Sequence, residues 1–125
     1  MSISTAQAAW ETLRFVVGAV DGLRSYLVGE PVERLGVLVS PPALTWEHYP
    51  AIGQPTNAEF SVFVVGPNDQ VGTVITKLLS FVDPVVSAIE QNYEDAVVTQ
   101  AFPGIYSQFS ATESPCYTIT VEVSL

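Results

Sequence analysis

Positive charge is what this sequence has least of. Arg14, Arg24, Arg34 and Lys77 stand against 13 acidic residues, for a formal net charge of −9. Four cations do not make a basic footprint for a phosphate backbone, and the net field repels one. Stable nucleic-acid binding is therefore not expected, although repulsion suits DNA that slides past without sticking. Cys116 is the single cysteine, so no intrachain disulfide forms and a cysteine zinc site lacks its partners. Cys116 opens a strand-like segment and reads as a small core residue. His48 is the single histidine, so no imidazole pair can share a metal. Neither a phosphate-loop pattern nor a GxGxxG turn occurs, and no GxSxG elbow accompanies His48. No apolar run reads as long enough to span a bilayer, with Arg14 and Asp21 interrupting the first helix, and the polar start does not match a secretory leader.

What the chain has is apolar substance. Over 125 residues the hydrophobic fraction is 48%, the charged fraction 14% and the mean hydropathy +0.34. That length suits one domain, residues 1–125, with one core. The surplus apolar surface points to self-association rather than lipid.

The stretch Gln70–Asn92 organises the rest. At 3.6 residues per turn, Val71, Val74, Ile75, Leu78, Phe81, Val82, Val85, Val86 and Ile89 share one side. An apolar arc about 160° wide fits a sheet better than a coiled-coil seam. Strand-like segments flank it, Ala58–Val65 and Ala96–Phe102, so the helix is a crossover on one sheet. Pro84 lies on the polar side and either kinks the helix or starts a second piece capped by Asp83. Asn68 or Asp69 is the expected cap at its start.

Ahead of it, Ser4-Thr5-Ala6-Gln7 has the capping-box pattern, and a helix is expected from Thr5 to Leu27, with Gly29 beyond its end. Its core stripe is Ala6, Ala9, Trp10, Leu13, Val16, Val17, Val20, Leu23 and Leu27. Phe15, Ala19 and Tyr26 line the opposite face, with Gly18 and Gly22 close by, and glycines there admit another backbone. Phe15, Ala19, Gly22 and Tyr26 are the candidate subunit interface, the alternative being a helix covered by the chain's own loops. Leu35–Val39 reads as a short edge strand broken by Ser40-Pro41-Pro42. Ala43–Tyr49 and Ala58–Val65 read as an antiparallel hairpin whose long tip, Pro50–Asn57, includes Pro50, Ile52 and Pro55. Pro103–Pro115 reads as a loop holding Ile105, Tyr106 and Phe109. Tyr117–Leu125 alternates most cleanly and is the last strand. The order helix-strand-strand-helix-strand-strand defines an α+β domain, two helices packed on a four- to five-stranded mixed sheet.

Chemistry is nearly silent. His48 lies on the Leu44/Trp46 side of a strand and reads as a satisfied strand residue. Glu94-Asp95 is a solvated pair, short of the oxygen ligands calcium needs. Glu47 and Glu59 flank the hairpin as paired acids, without signs of a sugar cleft. No residue is assigned to catalysis, to a cofactor or to a metal, and an enzyme is not expected.

The chain resembles the tail terminator (tail completion) proteins of long-tailed bacteriophages, especially those of actinobacteria. The resemblance rests on four stretches: an N-terminal helix leading to Ser40-Pro41-Pro42-Ala43-Leu44-Thr45-Trp46-Glu47; the strand running through Gly66-Pro67 into a long Val- and Leu-rich helix; Val98-Thr99-Gln100-Ala101-Phe102-Pro103-Gly104; and Cys116-Tyr117-Thr118-Ile119-Thr120-Val121-Glu122-Val123. It implies a six-membered homo-oligomeric ring on the head-proximal end of the tail. Such a ring ends tube polymerisation and joins the tail to the head-side connector. Its partners are copies of itself, the major tail tube protein and the head–tail connector, with DNA passing through the lumen and no membrane. Its location is the virion, and the host cytoplasm during assembly. Pro50, Ile52, Pro55, Ile105, Tyr106 and Phe109 are then candidates for docking these neighbours. Another neck protein, or a small ligand-binding or enzymatic α+β domain with a pocket near His48 and Trp46, are the alternatives.

Overall fold

The computed structural model describes residues 5–46, 55–68, 70–107 and 113–125. In chain order they form α1 (Thr5–Gly18), β1 (Arg24–Ser25), β2 (Gly36–Val39), β3 (Ala43–Thr45), β4 (Asn57–Val65), α2 (Val71–Asn92), β5 (Ala96–Tyr106) and β6 (Ser114–Ser124). The sheet has six strands in the order β1-β2-β4-β6-β5, with β3 also on β4. The α+β architecture holds. The strand count exceeds the expected four or five because a two-residue β1 joins β2 in parallel.

β2 and β3 are two halves of one interrupted edge. Both pair antiparallel with β4, at Val62–Val65 and Asn57–Glu59, while β6 fills the other side of β4. The break at Ser40-Pro41-Pro42 costs the ladder its donors, and β4 bridges it through Ser40 N–H to the Ser61 carbonyl at 3.0 Å. The expected strand Ala43–Tyr49 is confirmed for Ala43–Thr45; Glu47, His48 and Tyr49 lie outside the described residues.

β4 and β5 run in the same direction, each antiparallel to β6. α2 is therefore a crossover that skips one strand position, and β6 fills it. Ala58, Phe60, Val62 and Val64 of β4 join Ile119, Val121 and Val123 of β6 under the helices. From α2 they meet Leu78, Val82, Val85 and Ile89, all buried members of the expected stripe. α2 is long and apolar enough to cross a membrane by length and composition, more than the sequence suggests; its Leu78–Ile89 stripe lies on this sheet, while Val71 and Leu79 are exposed. Pro84 sits inside one continuous helix on its exposed side, so Asp83 does not begin a second piece. The cap position is held by Gln70 in the left-handed region, φ 48°, rather than by Asn68; Asp69 lies outside the described residues.

α1 ends at Gly18, not Leu27. Ala19 and Val20 bond back three residues, to Val16 and Val17, tightening the last turn. Gly22 then reverses the chain at φ +87°, a conformation that disfavours a side chain. Val20 and Leu23 keep the helical apolar spacing but join the core as part of this turn. Trp10 fastens α1 to the sheet by donating Nε1–H to the Val39 carbonyl at 3.0 Å.

Tyr26 governs the turn's exit. It is 2% exposed on the far side of the sheet, in a second cluster with Leu38, Phe63, Val65, Tyr106 and Cys116. Its hydroxyl donates to the Arg34 carbonyl and accepts from the Glu33 and Arg34 amides, each at 3.2 Å. One side chain thus ties the 26–34 connector down over the sheet. Gly36 is required beneath it, because an added Cβ would meet the Tyr26 ring and the Arg24 carbonyl.

β5 extends to Tyr106, and β6 starts at Ser114, so both ends of the expected Pro103–Pro115 loop are strand. β5 is a sheet edge, where a proline is tolerated with its nitrogen facing outward, and Pro103 pairs with Tyr117 there. A bulge between Val98 and Gln100 shifts its register.

Tyr26→Phe keeps the ring and strands three backbone groups. It should lower unfolding stability by about 1–3 kcal/mol in a urea titration. An unchanged midpoint would mean that the hydroxyl does not hold the connector.

Candidate functional site

The four residues expected on one outer helical face part company. Phe15 is 81% exposed and Ala19 is exposed, and with Glu11, Arg14, Gly18 and Ser25 they line an open groove of about 430 Å³. Gly22 faces the chain's own Phe81, whose ring would touch a Cβ placed there. Tyr26 is corrected outright: it is a core residue, because the helix ends before it and its phenol finds backbone partners. Its removal leaves Phe15 and Ala19 as the apolar centre of that surface. Arg14 lies 5.6 Å over the Trp10 ring and Arg24 5.1 Å over the Tyr26 ring. Stacking of this kind holds a guanidinium in place while leaving its donors outward.

The docking candidates also divide. Pro50, Ile52 and Phe109 lie outside the described residues. Pro55 is half-buried beside the start of β4, where Thr56 bonds the Thr45 carbonyl and Leu125 bonds Thr56. Ile105, 64% exposed, sits at the opposite end of the strands, beside Val71 and Pro115. Tyr106 is corrected to a core residue, 1% exposed, its ring 4.9 Å from that of Phe63. It ends a strand rather than riding on a loop. Pro55 and Ile105 thus mark the two ends of the strand direction.

Two apolar residues that sequence reasoning does not single out are exposed on β5. Val97 is 60% and Phe102 41% exposed. The register sets Val97 opposite Glu122 and Phe102 opposite Thr118, so both lie on the sheet face away from the helices. Over β2 and the adjoining ends of β4 and β6 that face is covered by Tyr26, Val28 and Val32. The cover reaches Tyr106 at the end of β5; along the rest of β5 the face is open, and it also carries Glu59 directly across from Glu122. The bulge hides this pattern in the sequence, because it breaks the alternation between Val97 and Phe102.

The groups able to do chemistry are dispersed. His48 and Glu47 lie outside the described residues, and Trp46 is exposed. Among the described residues no three of His, Cys, Asp and Glu gather as a metal site would require. Burial pushes the Cys116 thiol up, partly offset by the Thr118 hydroxyl 3.8 Å away. Burial likewise pushes the Tyr106 phenol up; the Gly29 backbone restrains the rise without completing a hydrogen bond to the hydroxyl, which has no partner among the described residues. Tyr93, at the end of α2, is raised by burial and then by the charge of Asp95. All three groups lose a proton more easily once unfolded. Their contribution to stability is whole below the ordinary thiol and phenol values and is lost as pH rises through and above them.

No protein-family model matches this chain, and no curated protein is significantly similar to it in sequence.

A buried thiol held protonated is a poor nucleophile. At about pH 8, Cys116 should react with a disulfide reagent many times more slowly in the folded chain than in urea. Equal rates would show that it is reachable from solvent.

Proposed function

We propose that this chain is a structural subunit of a bacteriophage tail: a tail terminator that forms a ring, probing no substrate and holding no cofactor. The ring caps the tail tube at its head-proximal end, stops polymerisation and receives the head-side connector. The supporting observation is the separation of surfaces. The Phe15–Ala19 surface lies at the β1 side of the sheet, since α1 packs over β1 and β2, and the Val97–Phe102 surface lies at the opposite edge. Pro55 and Ile105 mark the two ends of the perpendicular direction. A cyclic ring needs two different lateral patches on each copy. A ring set between two other components needs two further ends, one for the tube and one for the connector.

The charge balance agrees with this role. A net charge of −9 gives a lumen that DNA traverses without adhering. Assembly would take place in the host cytoplasm and end in the virion.

The purified protein should sediment and scatter light as a closed oligomer, and negative-stain electron microscopy should show rings of uniform diameter. A monodisperse single subunit at high concentration would overturn the proposal. Phe15→Glu should reduce the particle to single subunits with little change in melting temperature, because an exposed side chain contributes little to the fold. Unchanged mass would remove that face from the contact.

A further inference from the structure

We infer that neighbouring copies meet in a lap joint, the outer side of α1 and β1 on one copy seating against the open sheet face at the β5 edge of the next. This deepens the ring proposal and rests on it. Three independent features of the chain select a second copy as the occupant of both surfaces.

The first is placement. Phe15 lies on the helix-covered side of the sheet at the β1 end, while Val97 and Phe102 lie on the other side at the β5 end. Two patches set diagonally in this way overlap when copies follow one another, as tiles do, and each copy then covers its neighbour's exposed apolar side chains. A patch meeting its own duplicate would close a pair and leave the other patch bare.

The second is charge. All four cations belong to the β1 half. Arg14 lines one groove beside Glu11, Arg24 and Arg34 a second, and Arg34 and Lys77 a third beside Glu33, the second and third running on through Arg34 and Leu35. From Leu78 onward the chain has six carboxylates, Asp83, Glu90, Glu94, Asp95, Glu113 and Glu122, and no cation. Glu94 and Asp95 immediately precede β5, and Glu122 stands beside Val97. The β1 end therefore mixes four cations with Glu11, Asp21, Glu30 and Glu33, the β5 end is acidic throughout, and a head-to-tail contact is the one that brings cations to those carboxylates. A contact between two β5 ends sets carboxylates against carboxylates.

The third is the composition of β5. Its 11 residues include no charge, in a chain with 17 charged side chains, and Val97 and Phe102 are large exposed hydrophobics on the face away from the helices, while Ile105 is exposed on the helix side. The Tyr26 connector shields that face from β2 across to Tyr106 at the end of β5 and leaves Val97 and Phe102 open. A neighbour's α1 supplies the missing cover.

The test uses two variants of the full chain, Phe15→Asp and Phe102→Asp. Each alone should lose the ring and scatter as a single subunit while melting near the wild-type temperature. Mixed in equal amounts they should form a species of twice the subunit mass and nothing larger. Each variant has one sound surface, and only one joint can form between them. A mixture that stays at the subunit mass overturns the joint, as does a ring that survives either substitution. If Phe102→Asp fails to fold, Val97→Asp, at a more exposed position on the same face, replaces it with the same outcomes. A wild-type protein that is itself a single subunit overturns the ring proposal, whereas intact wild-type rings indifferent to both variants overturn the lap joint alone.

Discussion

Strand β6 is hydrogen-bonded along both edges, to β4 from Cys116 to Ser124 and to β5 from Ser114 to Val123. The rest of the domain depends on this double pairing. α2 carries the chain from β4 to β5 but leaves them one strand apart, and neither is a finished neighbour until β6 lies between them. Burial follows the same logic. Ile119, Val121 and Val123 complete the floor beneath α2, while Cys116 and Thr118 are buried on the opposite face. Such contacts are remote in sequence and costly to bring together. Once made, they position the bulge and with it the outward residues of β5.

A second tie works on the other side. Tyr26 reaches through a chain reversal to hold three backbone groups of the connector, and Gly36 leaves room for its ring. This arrangement leaves the sheet covered on both faces near β2 and on one face near β5. The asymmetry sets the proposed role. A subunit finished equally on every side would have nothing to offer a neighbour, whereas this one leaves Phe15 bare on the helix side at the β1 end and Val97 and Phe102 bare on the other face at the β5 end.

Much of this was legible from residue order. The apolar period of α2 identified Leu78, Val82, Val85 and Ile89, because Pro84 falls on the exposed side and leaves the stripe intact. The alternation of β6 was equally plain, as was the both-sided burial at Phe63 and Val65. Phe15 stood out as an aromatic on the wrong side of its helix. The end of α1 was not legible from hydrophobic spacing, since Val20, Leu23 and Tyr26 keep a helical period while packing through a turn and a strand. Gly18 and Gly22 within five residues were the available signal. Pro103-Gly104 read as a breaker because a proline removes a ladder donor, and that matters little on an edge. Val97 and Phe102 escaped notice since a bulge, decided by pairing partners, reassigns which side each residue faces.

Pro103 and the bulge have a consequence beyond local geometry. An uncharged border strand of 11 residues would ordinarily invite further strands to zip on without limit, the route to fibrils. Here the irregularity at Val98/Gln100 and the missing donor at Pro103 leave no long uninterrupted stretch of free backbone between them. The border can attract a neighbour through its side chains, but it is a poor template for main-chain growth. That difference favours particles that reach a defined size over threads that never stop.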